Sequence, residues 1–164
     1  MFSKELFRRW TYQVFAPGVL LREKYNAFRE LLLPQTAVLV GNNATLRHWL
    51  LPESTTDRHA RAADLARAAA EYGVSYVVVT GVPMAGDQLG NVLASPQAEL
   101  HSQSFERIDA GFLGAGDILS AALAALLATG SDLTEAVGEA LLYLDQALDH
   151  GVRPGMGRAV ADRL

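Results

Sequence analysis

Seven residues, Val74-Ser75-Tyr76-Val77-Val78-Val79-Thr80, constrain the fold more than any other stretch. They are nearly all apolar and rich in β-branched side chains, the composition of a strand covered on both faces. Their surroundings fit. Arg58 to Tyr72 reads as a helix whose inner face is Ala62, Leu65, Ala69 and Tyr72, with Asp57 as its cap and Gly73 at its end. Upstream, Ala37 to Val40 is a second short apolar strand. Before it, Leu20 to Leu33 repeats Leu21, Tyr25, Phe28 and Leu32 at helical spacing, with Pro34 expected to end the helix. Helix, strand, helix, strand is the alternation of an α/β fold with right-handed crossovers.

The remaining chain fits around this unit. Residues 1–18 are an ambiguous N-terminal segment, in which Thr11 to Phe15 would make a short strand stopped by Ala16-Pro17-Gly18. Gly41-Asn42-Asn43 is a turn, Ala44 to Leu51 a short helix broken by Pro52-Glu53-Ser54, and Gly81 to Gly90 a polar loop. Residues 91–94 and 99–105 read as two strands joined through Ser95-Pro96-Gln97. Helix 116–129 closes on Gly130. A last helix runs from the cap at Asp132, with Glu135 three residues on, to about Asp149, and residues 152–164 read as a loop-like tail. The length of 164 residues suits one domain.

Charge and composition exclude several functions. A net charge of −4 argues against a nucleic-acid surface. The absence of cysteine removes disulfides and thiolate metal sites. The apolar run from Ile118 to Ala128 is too short for a bilayer, and Met1 to Glu5 does not open a secretion signal. A cytoplasmic location is expected.

The chemistry concentrates at Gly111-Phe112-Leu113-Gly114-Ala115-Gly116-Asp117, which runs into the Ala/Leu-rich helix. A helix start leaves backbone N–H groups unpaired, its dipole favours negative charge, and glycine lets an anion approach the backbone. Asp117 would repel such an anion unless it has a task, and taking a proton from an attacking hydroxyl is one. The same pattern also suits a plain loop with an Asp cap. Elsewhere the residues are quieter. His48, His59, His101 and His150 are scattered and read as surface or structural, and Asp145 with Asp149 reads as a solvated face, so no metal site is assigned. Ser120 lacks a nucleophile-elbow pattern, and no phosphate loop of the Gly-Lys-Ser/Thr kind is present. Thr80-Gly81 stands at the end of the best strand, where open α/β sheets bind ligands.

In this order, strand 74–80, two short strands, Gly114-Ala115-Gly116-Asp117 and an Ala-rich helix resemble the ribokinase-like kinases. Leu31-Leu32-Leu33-Pro34, Val78-Val79-Thr80-Gly81, and above all Gly151-Val152-Arg153-Pro154-Gly155-Met156-Gly157 with Asp162-Arg163-Leu164 are most similar to the hydroxymethylpyrimidine/phosphomethylpyrimidine kinases of thiamine biosynthesis. The related pyridoxal kinases share the first features but not the tail. The resemblance spans about Leu20 to Leu164 and implies a three-layer α-β-α fold, a mostly parallel sheet with helices on both faces. It implies ATP and Mg²⁺ as cofactors and a small heteroaromatic alcohol as acceptor. Gly114, Ala115 and Gly116 match the anion hole, Asp117 the catalytic base, and Asn42, Thr80 and Gly81 positions beside the nucleotide. The last helices would flank the adenine.

The departures are specific. The thiamine-pathway kinases usually carry Cys where Asp117 stands and His where Leu113 stands. Their Thr-Pro-Asn-x-x-Glu segment appears as Val40-Gly41-Asn42-Asn43-Ala44-Thr45, so Thr45 replaces a carboxylate that organises Mg²⁺ and phosphates. The N-terminal half of the family is missing, which leaves an open sheet edge and implies a homodimer or a partner chain that covers it. The readings are a kinase acting on hydroxymethylpyrimidine or its phosphate, a pyridoxal-type kinase, a non-catalytic nucleotide-binding or regulatory module, and one part of a split enzyme.

Overall fold

The structure, a computed structural model, describes residues 10–14, 26–51 and 60–162. At its centre is a five-stranded sheet in the order β1 (Trp10–Val14), β2 (Thr36–Asn42), β3 (Tyr76–Pro83), β4 (Gln88–Ala94) and β5 (Glu99–Glu106). β1, β2 and β3 are parallel, while β3, β4 and β5 form an antiparallel meander. Around it lie helices α1 (Asn43–Leu50), α2 (Ala62–Ala70), α3 (Ala115–Ala128) and α4 (Leu133–Asp149). This is the expected α-β-α arrangement, with a mixed sheet that is parallel on the β1 side.

The continuous apolar runs of β2 and β3 are explained by burial on both faces. Leu39, Val77 and Val79 point to one side, where they pack with Leu46 and Trp49 of α1 and Leu65, Ala66 and Ala69 of α2. Val38, Val40 and Val78 point to the other, against Leu119 and Leu123 of α3 and Leu133, Val137 and Leu141 of α4. Each fully buried Val or Leu contributes about 1.5–3 kcal/mol relative to exposure. β5 carries the opposite pattern, polar and only partly buried, as suits an edge strand.

Several boundaries differ from the sequence expectation. Pro34 does not end a helix. The chain winds as a π-helical turn over Phe28–Leu32 and then a 3-10 turn over Leu33–Gln35, with Pro34 in the first positions of that turn, where its missing N–H costs nothing. The π turn is anchored by Phe28, edge-on to Trp49 at 5.0 Å, and by Arg29, which donates to the Trp49 carbonyl and lies 5.6 Å from the Tyr72 ring centre. α2 begins at Ala62, where Arg61 N–H donates to the Asp64 carboxylate. Asp57, His59, Ala16-Pro17-Gly18, Pro52-Glu53-Ser54 and Leu20 to Tyr25 lie outside the described residues. Gly73 ends the α2 region with φ +88°, as expected. The 81–90 segment is mostly strand, because β3 continues to Pro83 and β4 starts at Gln88.

The tail is the largest difference. Ala159–Val160 forms a short strand, β7, that pairs in parallel with β6 (Phe112–Leu113), the residues just before the Gly-rich helix start. Val152 and Val160 exchange two backbone hydrogen bonds of 2.9 Å, closing residues 153–159 into a hairpin. Two-residue strands fall below what periodicity can reveal. Among the described residues, no helix is long and apolar enough to cross a membrane.

Candidate functional site

The residues singled out in the sequence fall into two groups in the structure. The first lies where the parallel pairing of β2 and β3 stops. Asn42 ends β2, but Thr80-Gly81 lies inside β3, which runs on to Pro83, and not at the strand end the sequence suggested. Asn42 and Thr80 are direct neighbours in the parallel register. The Asn42 side-chain oxygen accepts from Ala44 N–H at 2.9 Å, which caps α1 and leaves the amide nitrogen turned toward β3. That nitrogen lies over Gly81, whose φ of +68° and missing side chain make room for it. The β3–β4 register slips between Val79 and Val82, so Thr80 and Gly81 form a bulge, a common device for re-aiming a side chain. Asn42, Thr80 and Gly81 are thus one contiguous unit.

The second group is the start of α3. Gly114 is its N-cap in the left-handed region, with φ +75° and ψ +10°. The first intrahelical bond runs from Ile118 N–H to the Gly114 carbonyl at 3.0 Å. The N–H groups of Ala115, Gly116 and Asp117 precede it and have no helical carbonyl to meet. Asp117 occupies the same first turn and is exposed. Its carboxylate caps no backbone group among the described residues, so the geometry does not use it as a plain helix cap. A single turn therefore presents aligned donors and a free carboxylate together. Among the described residues no hydrogen bond joins this turn to the Asn42 unit. α3 packs across β1 and β2, and β2 ends in Asn42.

The second group is braced by contacts that the sequence did not reveal. Ala159 N–H donates to the Gly111 carbonyl at 2.9 Å. Phe112 packs with Ile118, Ala147, Leu148 and Ala161 in a small apolar cluster beneath the turn. Gly151 lies against Phe112 so closely that a β-carbon there would meet the ring at 2.5 Å. From Asp117 an open apolar groove of about 580 Å³ runs along Ala121 and Ala125 of α3 toward Tyr143 of α4.

His48 and His150 are exposed, and His101 is half-buried beside Gln103. Thr45, in the position where the resemblance expects a carboxylate, is buried in α1. Among the described residues no cluster of His, Asp or Glu could hold a metal ion.

A family model described as phosphomethylpyrimidine kinase matches residues 17–162. No curated protein matches. Among solved structures, the chain is similar to a pyridoxal kinase of Bacillus subtilis solved as an ADP complex. That protein is 25% identical, with a TM-score of 0.74 over 88% of this chain and 56% of its own. A pyridoxal kinase of Staphylococcus aureus in complex with AMP-PCP is 19% identical, with a TM-score of 0.78 over 94% of this chain and 57% of its own. One from Entamoeba histolytica is 19% identical, with a TM-score of 0.69 over 90% and 51%. The chain spans little more than half the length of these structures, and the family-model match covers both residue groups. The fold is ribokinase-like, and the chain belongs to the phosphomethylpyrimidine kinase family.

Proposed function

We propose that the chain carries the phosphoryl-transfer half of an ATP-dependent kinase for a small heteroaromatic alcohol, with hydroxymethylpyrimidine or its phosphate as the first candidate acceptor. The observation that carries this reading is the first turn of α3, where unpaired N–H groups and the exposed Asp117 carboxylate occur together. Asp117 takes the proton of the acceptor hydroxymethyl group. The hydroxyl oxygen then bonds to the γ-phosphorus of ATP as the bond to the bridging oxygen breaks, and ADP leaves. The N–H groups at 114–116 and of Asp117 stabilise the charge spread over the transferred group. Asn42, Thr80 and Gly81 hold the nucleotide where the parallel pairing of β2 and β3 stops, and the last helices flank its base. Support comes from the neighbours. The Bacillus protein was solved with ADP, and the Staphylococcus protein with AMP-PCP and pyridoxal. Pyridoxal is accordingly the second candidate acceptor. Mg²⁺ would enter with ATP and neutralise charge on its phosphates.

The test is ADP release with ATP and each of hydroxymethylpyrimidine, its phosphate and pyridoxal. ADP formed with one acceptor and lost in Asp117→Asn supports the reading. No ADP with any acceptor, from a chain that binds ATP, supports a second reading, a non-catalytic nucleotide-binding module. The buried Thr45 favours that alternative. The outer edge of β1 is paired with no other described strand. We propose that a second copy or a complementary N-terminal half covers it. A monodisperse monomer by light scattering counts against the dimer, and activity gained on adding a separately expressed N-terminal half identifies a split enzyme.

A further inference from the structure

We propose that Arg158 is a nucleotide-phosphate-binding residue, carried to the Gly-rich turn by the C-terminal hairpin. The inference rests on the kinase reading above and adds a residue to it. Phosphoryl transfer concentrates negative charge, and a site that already contains Asp117 needs cations to offset it. The segments that build the site supply none. Residues 80–90, 111–117 and 42–45 contain no Lys or Arg.

Beyond Arg67 the chain carries twelve acids but only four arginines, Arg107, Arg153, Arg158 and Arg163. Two of them, Arg153 and Arg158, flank the exposed hairpin tip Pro154-Gly155-Met156-Gly157. The root of the hairpin is fixed by the paired Val152 and Val160 and by the bond from Ala159 to Gly111. Arg158 immediately precedes that bond. Its stem lies on Gly111, with Cγ 3.8 Å and Cδ 4.0 Å from the position a β-carbon would take there. The residue is exposed, so this packing leaves the charge hydrated and available. Gly111 is three residues from the N-cap Gly114, a separation of at most about 10 Å along the chain. The tip of the hairpin is open, with Met156 fully exposed and nothing within 4 Å of where a β-carbon would stand at Gly155 or Gly157.

Calorimetric binding of ATP and of adenosine to the full chain tests this. Arg158→Ala should weaken ATP roughly ten- to a hundredfold, the range of a charge-assisted hydrogen bond, and leave adenosine unchanged. Arg158→Lys should recover part of the loss, and the remaining ATP affinity should depend less on salt. Arg67→Ala, an equal charge change on an exposed face of α2, should leave ATP binding as in the parent. Equal ATP affinity in the parent and Arg158→Ala overturns the proposal and leaves the kinase reading standing, as does an equal loss of ATP and adenosine. A parent chain that binds no ATP overturns both.

Discussion

The amide nitrogen of Asn42 lies over the α-carbon of Gly81, and a β-carbon at residue 81 would come within 2.7 Å of it. The parallel pairing of β2 and β3 thus stops with a polar group on β2 and a glycine just beyond the last pair on β3. Gly81→Ala has two costs, a left-handed backbone at φ +68° and displacement of the Asn42 carboxamide. The backbone term is about 1–2 kcal/mol. The second term disappears when Asn42 is removed. Gly81→Ala should therefore cost less in an Asn42→Ala background than in the parent, although Asn42→Ala itself loses a cap worth roughly 1 kcal/mol. Urea unfolding of the four proteins measures the coupling, and strict additivity would show that the two groups do not meet.

Asp117→Asn separates binding from chemistry. In the proposed mechanism the carboxylate shares its turn with the N–H groups that would hold the transferred phosphate, so removing its charge should hold or tighten ATP affinity. Loss of the base should lower turnover by about a hundred- to ten-thousandfold. Calorimetry and ADP release on the same preparation give the two numbers. A variant with parental turnover removes Asp117 from the mechanism.

Gly151→Ala strikes the brace beneath the turn. Its β-carbon would lie 2.5 Å from the Phe112 ring, 2.8 Å from the Leu148 carbonyl and 3.1 Å from that of Val160. Two of those neighbours are backbone and cannot step aside, so overpacking of about 1–3 kcal/mol is expected. The melting temperature should fall, and amide exchange should quicken first at Ala159 and Val160 as the hairpin root loosens. Parental exchange at those amides would place the strain elsewhere.

The sheet was legible because its cause is visible in one dimension. Val77, Val78 and Val79 are buried alternately on two faces, and only helices on both sides explain an uninterrupted apolar run. The turn was legible because Gly114 must be glycine where φ is positive and Asp117 follows in the first turn. The brace was not. Phe112–Leu113 and Ala159–Val160 are two residues each and gain their meaning only from each other, far apart in the chain. Pro34 misled for a related reason. It stops an α-helix, but a π turn handing over to a 3-10 turn admits it, and the packing of Phe28 and Arg29 on Trp49 that holds this winding is tertiary.

Asp145 supplies the pH prediction. Its carboxyl is held above the usual carboxylate range, first by burial on α4 and then by the like charge of Asp149 one turn on. A folded-state pKa raised above the unfolded value means that the native state binds the proton more tightly. The associated stability is complete below the unfolded pKa and is lost as pH rises through the folded one. At neutral pH the protein therefore bears the cost of an ionised Asp145 beside Asp149, and Asp145→Asn should relieve it. The gain in melting temperature should be largest near neutrality and shrink toward about pH 4, where the parent carboxyl approaches its protonated form. Thermal unfolding of parent and variant across that range measures the difference. A gain that stays constant or grows toward acid would mean that Asp145 is stabilised as the anion, against both burial and the Asp149 charge.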